Sequence, residues 1–119
     1  MATEAPDGPN AQSIDEPVHI QSASHLETVV VEHDVVLVDF FATWCGPCQM
    51  LEPVLEGLAG ETDAVIAKVD VDQHQPLAGE YGVRGVPTLV LFADGKQVEQ
   101  HTGVLSADRL RDLIEGYTD

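Results

Sequence analysis

Residues 35–48 read Val35-Val36-Leu37-Val38-Asp39-Phe40-Phe41-Ala42-Thr43-Trp44-Cys45-Gly46-Pro47-Cys48. An almost unbroken apolar run, β-branched and aromatic, leads straight into two cysteines separated by two residues. Val35 to Phe41 is predicted as a strand, and its continuity implies burial on both faces, hence a central position in a sheet. The next helix is expected to start at the cysteine motif, because Leu51, Val54, Leu55 and Leu58 recur at i, i+3, i+4 and i+7. Gly60 stands where a C-terminal cap belongs, and Pro53 inside the helix predicts a kink.

Cys45 and Cys48 are the only cysteines in the chain. A cysteine at the start of a helix meets unpaired backbone N–H groups and the positive end of the helix dipole, and both favour thiolate over thiol. Such surroundings lower a thiol pKa from about 8.5 to somewhere between about 3.5 and 7.5. Thiolate is the attacking species in disulfide exchange. Cys45, read as an exposed first-turn residue, is assigned the attack. Cys48, one helical turn on, faces back and is placed to resolve the mixed disulfide. Gly46 permits close approach, and Pro47 fixes its φ where no N–H is needed. A structural disulfide closing so small a loop would stabilise little. A zinc site needs about four ligands, and His19 and His25, the one histidine pair at H-x₃₋₅-H spacing, precede the cysteine pair, with no second cysteine pair in the chain. Redox chemistry is therefore the favoured reading, with no metal and no cofactor expected.

Two charges stand in apolar strands. Asp39 interrupts Val35–Phe41; a carboxyl buried there has a raised pKa and could take the proton from Cys48. The alternative is an acid at a solvated strand end. Lys68 lies in a second predicted strand, Ala64 to Asp70, on the same face as Ile66. If the two strands are neighbours its ammonium reaches Asp39; otherwise it is an ordinary exposed lysine.

Further elements follow outward. Val18-His19-Ile20 suggests a short first strand. Ser24 with Glu27 fits a capping box, with Leu26, Val29 and Val30 at helical spacing behind it. Pro76 to Tyr81 reads as a short helix. Thr88 to Phe92 and Gln97 to Thr102 read as strands joined by Ala93-Asp94-Gly95-Lys96, an Asp-Gly hairpin signal. Ser106 is the expected N-cap of a last helix, with Leu105 and Leu110 at the staple positions and a stripe of Leu110, Leu113 and Ile114. The order β-α-β-α-β-α-β-β-α predicts an α/β sheet with helices on both faces. Residues 1–17 lack periodicity and read as a flexible acidic tail, leaving 18–119 as one domain.

Five Lys plus Arg against 21 Asp plus Glu give a formal charge of −16. Such a chain repels nucleic acid and anionic membranes. The acids are scattered, which favours solubility in concentrated salt over a dedicated surface for a basic partner. An acidic N-terminus without an apolar h-region, and no run long enough to span a bilayer, lead to the expectation of a cytoplasmic protein.

From about residue 18 onward the chain resembles the thioredoxin family. The resemblance rests on Asp39 to Cys48, Pro53, Lys68-Val69-Asp70-Val71-Asp72, Tyr81-Gly82-Val83-Arg84-Gly85-Val86-Pro87-Thr88 and Gly103. It implies a five-stranded mixed sheet flanked by four helices and a cis Val86–Pro87 bond beside the cysteines. It implies a protein-disulfide reductase, a monomer acting on disulfide-containing proteins and recycled by thioredoxin reductase. Cys45 would be the nucleophile, Cys48 the resolving thiol, Asp39 the acid–base group and Lys68 its partner. Val86 and Thr88 become candidate substrate contacts; Trp44, Gly85, Pro87 and Gly103 would form an apolar docking rim. Phe41 stands where many family members carry a second tryptophan. A thioredoxin-fold binding module without turnover is the alternative from another class.

Overall fold

A computed structural model of the chain describes residues 15–118. Most of the segment read as an acidic tail, residues 1–14, lies outside the described residues, and 15–17 turn into the first strand. The elements are β1 (Val18–His19), α1 (Ala23–Glu32), β2 (Val35–Phe41), α2 (Gly46–Glu61), β3 (Val65–Asp70), α3 (Gln75–Glu80), β4 (Thr88–Ala93), β5 (Lys96–Thr102) and α4 (Ala107–Glu115). The order is the expected one.

The strands form one five-stranded sheet in the order β1-β3-β2-β4-β5. β1, β3 and β2 run parallel, while β4 and β5 are antiparallel to their neighbours. β2 is central, and its continuous apolar sequence follows from having a strand on each edge and helices on each face. Its side chains alternate between two cores. Val36, Val38 and Phe40 join Leu26, Val29 and Val30 of α1 and Leu77 and Ala78 of α3. Val35 and Leu37 join Leu51, Leu55 and Leu58 of α2 and Leu110 and Ile114 of α4. Asp39 therefore points to the α2/α4 side. β2 pairs with β3 so that Asp39 is opposite Lys68, which makes the two strands neighbours as the ion-pair reading requires.

Two end signals differ from expectation. The N-cap of α1 is Ser22, not Ser24: Ser22 is extended, and its Oγ accepts from the His25 N–H at 3.1 Å. Ser24 lies inside the helix, its hydroxyl 3.1 Å from that of Ser22. Gly60 does not cap α2, which runs through Pro53 to Glu61. Thr62 closes the helix instead, donating to the Leu58 carbonyl from both its N–H (2.9 Å) and its hydroxyl (2.8 Å). Those bonds satisfy an otherwise orphaned carbonyl without a left-handed glycine. The Asp-Gly hairpin forms as predicted, with φ of 53° at Asp94 and 81° at Gly95, the pair of positive angles that matches strand twist. Ser106 caps α4, accepting from the Arg109 N–H. Among the described residues, no helix is long and apolar enough to cross a membrane.

Candidate functional site

The site lies where β2 ends and α2 begins. Ala42 accepts from the Cys45 N–H at 3.2 Å, and the Gln49 side-chain amide donates to the Thr43 carbonyl at 2.9 Å, so the connection is tied at both ends. Cys45 is the N-cap of α2, and its sulfur accepts from the Cys48 N–H at 3.1 Å. A sulfur at this position sits among first-turn N–H groups at the positive end of the helix. Cys45 and Cys48 are joined in a disulfide.

The expectation that Cys45 is an exposed first-turn residue is corrected. It precedes the first turn, and in the disulfide it is 4% exposed, against 2% for Cys48. Both cysteines pack with Ala42 under Phe41, Val71 and Val86. Chain contributed from 41 residues away covers them: the Val86 carbonyl oxygen is 3.8 Å from the Cys45 sulfur. Exposure belongs to the surround, Trp44, Gly46 and Pro47.

The covering loop is held by specific bonds. The Val86–Pro87 peptide is cis. The Pro87 carbonyl accepts from the Gly103 N–H at 2.8 Å, and Gly103 has a φ of 107°, a conformation that favours glycine. Gly85, Val86 and Gly103 are half-buried, while Pro87 is buried. Thr88 differs from its expected place on a substrate surface. It is fully buried, its backbone lies between Phe40 of β2 and Thr102 of β5, and its hydroxyl donates to the Gly85 carbonyl at 2.6 Å. It braces the loop from within. Trp44 is 70% exposed, and its indole N–H donates to an Asp72 carboxylate oxygen at 2.9 Å.

Asp39 and Lys68 are both buried, which removes the readings of a solvated strand end and an exposed lysine. Burial pushes the Asp39 carboxyl up to about 7; Lys68 opposes the rise and Glu52 adds to it. Among the described residues, neither Asp39 oxygen has a hydrogen-bond partner. The Lys68 ammonium stands 3.8 Å from Asp39 but 2.5 Å from Glu52 of α2. It also lies 4.3 Å from the centre of the Phe41 ring, and Phe41 packs against the cysteine cluster.

Glu52 escaped the sequence reading, and Val71 and Asp72, quoted there only as part of the family motif, had no role assigned. Glu52 has a usable signal, since it follows Cys48 at i+4 on the same helix face. Among the described residues, no group of three or more His, Cys, Asp or Glu side chains is arranged to hold a metal ion.

The thioredoxin family model matches residues 16–116. A thioredoxin of Chlamydia caviae is 45% identical over 102 residues, spanning 85% of this chain and 99% of that protein. A mutant thioredoxin from Halobacterium salinarum NRC-1 superimposes with a TM-score of 0.88 at 62% identity, covering 90% of this chain and 95% of that one. Schistosoma mansoni thioredoxin superimposes with a TM-score of 0.79 at 32% identity, covering 89% and 99% of the two chains.

Proposed function

Because the chain belongs to the thioredoxin family of thiol–disulfide oxidoreductases, we propose a division of labour among the residues of its site. The protein is a protein-disulfide reductase working by dithiol–disulfide exchange. The Cys45 thiolate attacks one sulfur of a substrate disulfide, forms a mixed disulfide, and expels the other substrate sulfur as a thiolate that takes a proton. Cys48 then gives its proton to the Asp39 carboxylate and attacks the Cys45 sulfur. The Cys45–Cys48 disulfide forms as the Cys45–substrate bond breaks, the second substrate sulfur leaves as a thiolate that takes a proton, Asp39 returns its own proton to solvent, and two electrons have passed to the substrate. Lys68 is the counter-charge of Asp39. Gly46 and Pro47 shape the turn between the sulfurs.

The observation that carries this assignment is the Cys48 N–H donating to the Cys45 sulfur at the head of α2. In the reduced protein that N–H favours negative charge on the Cys45 sulfur. Val86, beside that sulfur, is the substrate contact, Trp44, Gly85 and Gly103 make the rim around it, and Pro87, expected on that rim, is buried beneath and shapes it through its cis bond. Thioredoxin reductase is the recycling partner and disulfide-bonded proteins are the substrates. We read the −16 charge as salt adaptation, a reading supported by the similarity to the Halobacterium salinarum protein. The setting is the cytoplasm, and residues 18–119 are the working domain.

Reduction of a disulfide-bonded protein substrate in molar salt tests the roles. Cys45→Ser is expected to abolish turnover, and Cys48→Ser to accumulate substrate covalently attached at Cys45. Full partner binding with no adduct in Cys48→Ser, and unchanged function in Cys45→Ser, would instead identify a binding module.

A further inference from the structure

Lys68 is a buried ammonium with two carboxylates to choose from, and it sits against the wrong one for a simple Asp39–Lys68 pair. Its nitrogen is 2.5 Å from Glu52, inside hydrogen-bond range, and 3.8 Å from Asp39, outside it. Glu52 is 43% exposed, whereas Asp39 is fully buried with both oxygens unpartnered. Glu52 also lies one turn after Cys48 on the same face of α2. Thus the helix that carries the resolving sulfur carries the residue that holds the lysine.

We propose that Glu52 is a positioning residue for disulfide reduction: by holding the buried Lys68 ammonium to its own carboxylate, it leaves the Asp39 carboxyl without a hydrogen-bonded counter-charge and so able to take up and release a proton. The proposal rests on the proton-accepting role given to Asp39 above. Glu52 acts in two ways of the same sign. Its own negative charge disfavours a second one nearby, and it keeps the lysine from closing on Asp39. Few other groups compete at the carboxyl. β4 presents Leu89 opposite Asp39, and α4 contributes Leu110 and Ile114 to this face, none of which titrates. α2 presents Cys48 besides Glu52. On the far side of Lys68 the cleft is lined by His19, Asp70 and His74 as well, and these are common to every variant below.

The test follows the Asp39 carboxyl by carbon NMR titration in wild type, Glu52→Gln and Glu52→Asp, with the pH dependence of substrate reduction measured on the same proteins. Gln is a good helix former and nearly isosteric, so α2 is retained. With Glu52 neutralised, Asp39 is the one ionic partner left to Lys68 among the described residues, and the Asp39 midpoint is expected to fall by about one pH unit, a tenfold loss of proton occupancy near neutrality. The pH–rate profile should move in the same direction. Glu52→Asp, which keeps the charge on a shorter arm, should restore most of the shift. An Asp39 midpoint in Glu52→Gln equal to wild type, or higher, overturns the proposal. A titration that falls with a rate profile that stays overturns the role assigned to Asp39, and with it the place of Glu52 in the reaction, while confirming the electrostatic link between them.

Discussion

Replacing Asp39 by Asn should make the protein progressively more stable than wild type as pH rises. In the folded chain burial holds the Asp39 carboxyl at about 7 against a reference value of 3.8. Between those values the folded state keeps a proton that the unfolded state has released. The group's stabilising contribution is therefore complete below about pH 4 and is lost as pH climbs through about 7. Three units of displacement, at about 1.4 kcal/mol each, amount to roughly 4 kcal/mol. Asn carries no charge and leaves an unpartnered amide in the same buried place, a cost independent of pH. The absolute difference between the two proteins at acid pH is thus an offset, and the information lies in its slope. Urea unfolding of oxidised wild type and Asp39→Asn, in constant molar salt from pH 4 to 8, isolates it. The remaining carboxylates cancel in the difference, and in the disulfide form no thiol titrates. The stability gap should swing in favour of Asn by about 4 kcal/mol and flatten above neutrality. A gap constant across that range, or one moving the other way, would refute the reasoning that this carboxyl is desolvated and only weakly compensated by Lys68.

Asp72→Ala removes the acceptor of the Trp44 indole N–H. As Trp44 is the chain's single tryptophan, its fluorescence anisotropy should fall and KM for protein disulfides should rise a few-fold with kcat held, in keeping with about 1 kcal/mol for one lost hydrogen bond; unchanged anisotropy would count against the tie. Leu55, fully buried between α2 and the sheet, should cost about 2–5 kcal/mol on truncation to Ala, measured by urea unfolding, and a loss well under about 1 kcal/mol would mean that interface is not packed as described. With a net charge of −16, the melting temperature should rise as salt is added and the screening length shrinks from about 10 Å at 0.1 M to about 3 Å at 1 M. A flat or falling curve would show that self-repulsion does not limit this fold.

What could be read from the sequence was whatever depends on neighbours in the chain. The bounds of β2, the Ser106 cap and the Asp94-Gly95 turn each follow from a local rule and form as expected. Asp39 stood out because a lone acid in an apolar strand is anomalous, and Lys68 because strand parity put it on the face of Ile66. What escaped depends on pieces of chain brought together by folding. Glu52 looks like any acid on a partly solvated helix until β3 sets Lys68 beneath it. Cys45 reads as exposed from its helix position, yet Val86 arrives from a distant loop to cover it. Thr88 matches a substrate-contact pattern, but a strand on either side buries it. The Ser22 cap was missed because Ser24 offered the same chemistry two residues later, and backbone conformation chose between them.

The whole mechanism requires negative charge on the Cys45 sulfur, at the head of α2, in the reduced protein. Alkylation kinetics against pH, with the modified residue identified by mass, measures that directly. Cys45 alone should react, with a midpoint below the roughly 8.5 of a free thiol, while Cys48 stays unmodified. A Cys45 that reacts only as an ordinary thiol does, or a Cys48 that is modified first, would contradict the account.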